Sequence, residues 1–165
     1  MKKIDLGQTV TIFANIGVIA GIVFLGFEIR QNTMAVKSEA SIGVQSQIQS
    51  IYNMLLVDPM MDIYMRGMEN PADLDPLEAA KLNAFLSTNL AAFQNIYTQV
   101  QEGSYDESLA RGYWQLLRNL LEMPGMKEYW ATRSYVMSDE FRLFVETDVM
   151  RLAPMEGTTI LSGTE

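Results

Sequence analysis

The densest set of potentially reactive side chains lies at 60-MMDIYMRGM-68. Met61, Met65 and Met68 recur at i, i+4 and i+7, which places them on one helix face. Thioethers bind Cu(I), most readily beside thiolate or imidazole ligands. The chain has no His and no Cys, and these methionines form no M-x-M array. They are expected to act as adaptable packing, or as a pocket or partner surface. Asp58, Asp62, Glu69, Asp73, Asp75 and Glu78 crowd the same stretch, but not in the D-x-[DN]-x-[DN]-G order of a calcium loop. Helix caps and solvated loop charges account for them.

Two aromatic pairs follow, Tyr113-Trp114 and Tyr129-Trp130. They belong to a bundle core, line a pocket, or lie at a membrane surface. Trp114 and Trp130 are therefore grouped with the three methionines as candidate pocket or partner residues. Arg111, Arg118, Arg133 and Arg142 lie near these aromatics. They could hold an anion, but pairing with the many carboxylates is the plainer expectation. Without His or Cys there is no imidazole base, thiolate nucleophile, Ser-His triad, Cys/His zinc site or Glu-x-x-His di-metal pair. No Gly-rich phosphate loop, nucleophile elbow or HExxH occurs either. No enzymatic activity and no cofactor are expected.

The chain has 165 residues and a formal net charge of −8, enough length for one domain with a real core. An acidic body disfavours nucleic acid, whose phosphates need cations. From Leu6 to Phe27 no residue is charged, and Ile16–Phe27 is apolar throughout. At 1.5 Å per residue such a helix reaches roughly 30 Å, the thickness of the hydrocarbon layer. Gly17, Gly21 and Gly26 weaken a helix in water but are tolerated in lipid. The alternatives are a buried core helix and a signal peptide. No small-x-small cleavage site follows the run closely, so the segment is expected to remain as an anchor.

Within the span, Ala14, Gly17 and Gly21 lie at i, i+3 and i+7, and Gly17–Gly21 is a GxxxG. Such a groove admits a second helix, and nearby Asn15 prefers an interhelical hydrogen bond to lipid. Glu28, Arg30 and Asn32 then form an interfacial collar, too costly to sink into hydrocarbon. Lys2 and Lys3 before the span match Arg30 and Lys37 after it, so positive charge assigns the body to neither side.

The stretch from Asn15 to Thr33, ending in Glu28-Ile-Arg30-Gln31-Asn32-Thr33, resembles the start of a large group of bacterial proteins frequent in marine Proteobacteria. Gly112-Tyr-Trp114, Pro124-Gly125, Trp130 and Phe141-Arg-Leu-Phe144-Val-Glu146 extend the resemblance over most of the chain. It implies one N-terminal membrane helix joined to a helical domain, and implies no activity.

Beyond the collar, Ala40, Val44, Ile48, Ile51 and Leu55 make an apolar stripe, so the first helix should run on to about Val57. Asp58-Pro59 predicts a cap and a short helix over 59–68. Asp75-Pro76-Leu77-Glu78 predicts a capping box and a helix over 76–101, with Leu82, Phe85, Leu86, Asn89, Phe93, Ile96 and Val100 inward. Ser104–Glu107 reads as a second box opening a helix over 105–122, with Leu109, Trp114, Leu117 and Leu121 inward. Shorter helices are expected over 125–134 and, capped by Ser138, over 139–152.

The expected architecture is all-α: an N-terminal flank at 1–5, a transmembrane helix at 6–27, an antiparallel helical bundle at 28–153 and an irregular tail at 154–165. The expected protein is a single-pass component of the bacterial inner membrane that meets lipid and either a membrane protein partner or itself. The rival expectation is a membrane-tethered bundle that senses a ligand in a pocket lined by Phe85, Phe93, Trp114 and Trp130.

Overall fold

A computed structural model describes residues 6–153, with side chains from Val10 onward. The expected flank at 1–5 and tail at 154–165 lie outside the described residues. The chain is all-α: α1 spans Leu6–Leu55, α2 Met60–Glu69, α3 Pro76–Gln101, α4 Glu107–Leu120, α5 Pro124–Arg133 and α6 Asp139–Phe144. Among the described residues there is no strand. The chain divides into two compact units, the first ending at Glu39 and the second beginning at Ala40.

In the first unit the glycines do not interrupt the helix. Its large apolar side chains, from Val10 through Phe13, Ile16, Ile19, Val23 and Phe27 to Ile29, are exposed on every side. A buried core helix is therefore not what this segment forms. α1 is long and apolar enough to cross a membrane, judged by length and composition.

The second unit is built around α3. Asp75 accepts hydrogen bonds from the Leu77 and Glu78 amides, both at 2.8 Å, and the Asp75 amide donates to Glu78 Oε2 at 3.1 Å. This reciprocal box, with Pro76 inside it, stabilises the helix start by about 1 kcal/mol. Leu82, Phe85, Leu86, Phe93 and Ile96 are buried as the periodicity predicts. Leu90 and Ala92 are buried as well, because α2, α4 and α5 all contact this helix and widen its apolar face. Val44 and Ile51 from the last turns of α1 join the core, with Ala40, Ile48 and Leu55 packed beside them. Asn95 Nδ2 donates to Gln47 Oε1 at 3.0 Å and ties those turns to α3.

Two helix starts differ from expectation. α2 opens at Met60, and Pro59 occupies its N-cap position with no side-chain hydrogen bond, so Asp58 does not cap it. α4 is capped by Asp106, whose carboxylate accepts from the Ser108 amide at 2.8 Å. Ser104 instead closes α3: its Oγ donates to the Gln99 carbonyl at 3.1 Å, beside Gly103 at φ 71°. The inward stripe of α4 is accordingly Ala110, Trp114 and Leu117, with Leu121 just beyond it, and Leu109 is 56% exposed.

Ser138 caps α6, accepting from the Phe141 amide at 3.2 Å, but the α-helix stops at Phe144. A π-helical turn, Val145–Val149, replaces the expected continuation. Residues four apart drift around an α-helix, and the wider π turn offsets that drift. Phe141, Val145 and Val149 thereby all stay in the core.

Candidate functional site

Four residues were expected to pack the membrane helix against a partner. Ala14, Asn15, Gly17 and Gly21 are all exposed on α1. A Cβ added at Gly17 or Gly21 would meet nothing within 4 Å, so the groove between them is open. Glu28, Arg30 and Asn32 are exposed too. Glu28 and Asn32 lie one turn apart on the same side, while Arg30 points elsewhere. Among the described residues Glu28 and Arg30 form no ion pair, in keeping with their spacing of two.

In the second unit, the chain reversal from α1 into α2 leaves an apolar groove of about 420 Å³. Ile63 and Phe85 are its buried members, and Met54, Val57 and Met60 flank them. Asp58 and Lys81 supply its charged lining. Leu56 and Met61 add exposed apolar area close by in the chain. The three methionines expected to share a surface divide along α2. Met61 is exposed, Met65 half-buried, and Met68 fully buried. The face turns inward because α5 crosses α2 at Gly67 and Met68, where Gly125 comes within backbone contact. Met54 and Met60, absent from the expected set, line the groove. The signal that could have found them is the apolar run 54-MLLV-57 continuing across the Asp58-Pro59 turn.

Trp114 and Trp130 are core residues at 8% and 7% exposure. Trp114 meets Phe144 edge-on with ring centres 5.0 Å apart, and Tyr97 stacks on Phe144 at 4.8 Å. Such pairs add about 0.5–1.5 kcal/mol beyond simple burial. Trp114, Tyr97 and Phe144 also border a cleft of about 290 Å³. The four aromatics expected around one pocket do not meet there: Phe93 and Trp130 are core, and Phe85 belongs to the groove. Burial, and then the neighbouring Tyr113 hydroxyl, push the Tyr105 phenol above its ordinary range.

The charged residues mostly serve the scaffold. Arg66 reaches Glu78 at 2.6 Å, Asp62 at 2.9 Å and the Asp73 carbonyl at 3.1 Å, which ties α2 to the start of α3. The Arg66 guanidinium, and secondly the Asp75 amide, hold the Glu78 carboxyl below the usual carboxylate range. Arg118 pairs with Glu122, and Arg142 with Asp139. Arg118 also donates to the Leu152 carbonyl, and Gln115 to that of Ala153 at 3.0 Å. Among the described residues no three carboxylates gather to hold a metal ion. No protein-family model, curated protein or solved structure matches the chain.

Proposed function

We propose that this chain is a non-catalytic, single-pass protein of the bacterial inner membrane. It acts by association, as a scaffold or accessory subunit of a larger membrane complex or as a homo-oligomer. The apolar groove bordered by Met54, Val57, Met60 and Phe85 is the observation that carries this reading. An open apolar groove faces the same solvation cost as any exposed patch, and a protein partner removes it. Its methionines adapt to the shape of whatever docks. The open Gly17–Gly21 face of α1 supports the same reading, offering a second contact for a membrane partner or another copy. Nucleic acid is not among the partners proposed, given a net charge of −8.

The test is purification at native expression level in mild detergent, followed by native-gel sizing and mass spectrometry. A defined assembly is expected from the wild type. Met54→Glu with Val57→Asp should dissolve it while leaving the melting temperature unchanged, since both side chains are exposed. A lone monomer from the wild type would refute the reading.

A second reading, a membrane-tethered bundle that binds a small ligand, is favoured by one observation. A cleft of about 270 Å³ between α3 and α5 is lined by both apolar and charged side chains, Glu128 and Arg133 among them.

A further inference from the structure

The cleft between α3, α5 and the turn at Pro71–Asp73 joins an apolar floor to polar walls. Leu74, Leu82 and Leu86 form the floor. Leu82 and Leu86 are buried core side chains, so the floor is held by the fold itself. Asn83 on α3 and Glu128, Tyr129 and Arg133 on α5 form the walls.

Of these wall groups Glu128 and Arg133 are exposed and Asn83 is half-buried. Tyr129 is only 4% exposed as a residue and lines the cleft. Arg133 and Glu128 make no ion pair among the described residues, whereas Arg66, Arg118, Lys127 and Arg142 all find carboxylates. Five residues apart on α5, Glu128 and Arg133 do not face one another and cannot neutralise each other directly. Both nevertheless line one cleft. A guanidinium offers a carboxylate a two-pronged hydrogen-bonding fork, and a carboxylate accepts readily from an ammonium.

We infer that this cleft binds a zwitterion with an apolar body, an α-amino acid with an aliphatic side chain. Its carboxylate lies on Arg133 and the Tyr129 hydroxyl, its ammonium on Glu128, and its side chain on Leu74, Leu82 and Leu86. The assignment rests on the ligand-binding reading and is independent of any protein partner.

The test is calorimetric titration of the full-length protein in nanodiscs with L-leucine, with isocaproate, which lacks the ammonium, and with isoamylamine, which lacks the carboxylate. L-leucine should bind saturably, one per chain, and each truncated analogue at least about tenfold more weakly. Arg133→Gln and Glu128→Gln alter exposed side chains, so the fold should persist, as a melting curve will verify. Each should weaken L-leucine about tenfold or more. Arg133→Gln should leave isoamylamine unaffected, and Glu128→Gln should leave isocaproate unaffected. Isocaproate binding as tightly as L-leucine, and lost in Arg133→Gln, would overturn the zwitterion while leaving a ligand-binding bundle standing. Absence of saturable binding by all three probes, or L-leucine affinity unchanged in both variants, would overturn the assignment and the ligand-binding reading at this cleft together.

Discussion

Gly125 lies so close to Gly67 that a Cβ on Gly125 would stand 2.3 Å from the Gly67 carbonyl oxygen and 2.8 Å from the Met68 Cα. Here α5 rests directly on the backbone of α2. Backbone cannot rotate aside, so Gly125→Ala should force the helices apart and destabilise the body by about 1–3 kcal/mol. The reverse substitution is milder. A Cβ on Gly67 would meet the tips of Leu82 and Leu74 at 2.4 and 2.5 Å, and side-chain tips can turn away. Gly67→Ala should therefore cost less than Gly125→Ala. Urea unfolding followed by circular dichroism checks the order, and equal costs would show that the crossing is looser than its geometry.

Glu78 gives the body an acid-sensitive joint. Its carboxyl is held below the usual range, first by Arg66 and then by the Asp75 amide. A lowered folded pKa means the stabilisation is fully present above the unfolded value, about 4.3, and is lost as pH falls through the folded one. Melting temperature should thus decline on acidification from about pH 5 downward. Glu78→Gln should lower it at neutral pH and make that decline shallower. Parallel acid limbs for the two proteins would remove Glu78 from the cause.

The register of α4 can be tested with adjacent residues. Leu109 is exposed and Ala110 fully buried. Leu109→Gln should change stability by no more than about 0.5 kcal/mol, whereas Ala110→Leu should cost about 1–3 kcal/mol by overpacking. Equal effects on the denaturation midpoint would mean that the helix is rotated from the position described.

That register also marks where local reading reached its limit. α3 was legible because the Asp75–Glu78 box and a long apolar period point to the same helix. At α4, Ser104 and Asp106 are both good caps, and short-range rules do not say which one the turn after Gly103 will use. The expected inward set also included Leu109, where Ala110 belongs. The Gly67–Gly125 contact was not legible at all, because each glycine alone reads as a helix breaker and only the crossing explains their absent side chains. The cleft was half visible. Arg133 stood among four candidate anion ligands and Tyr129 in one of two aromatic pairs, but Asn83 and Glu128 carry no periodic or motif signal. Their meeting depends on how α5 lies on α3. The residues of the apolar helix, by contrast, needed no tertiary information to be singled out.

Association through α1 makes a further prediction. Gly17→Ile with Gly21→Ile fills the open face with branched side chains and should shift the detergent-solubilised assembly to smaller species on a native gel. Gly26→Ile, at a position equally open but outside the Ala14–Gly17–Gly21 row, should not. An assembly indifferent to both changes would place the contact elsewhere.

The chain contains two tryptophans, Trp114 and Trp130, and both are buried in the second unit. The apolar helix contains none. Intrinsic emission therefore comes from the helical body alone: it reddens when that core opens and is blind to transfer between detergent and bilayer. Near-ultraviolet fluorescence is thus a built-in optical gauge of the body's integrity that needs no label and carries no membrane background.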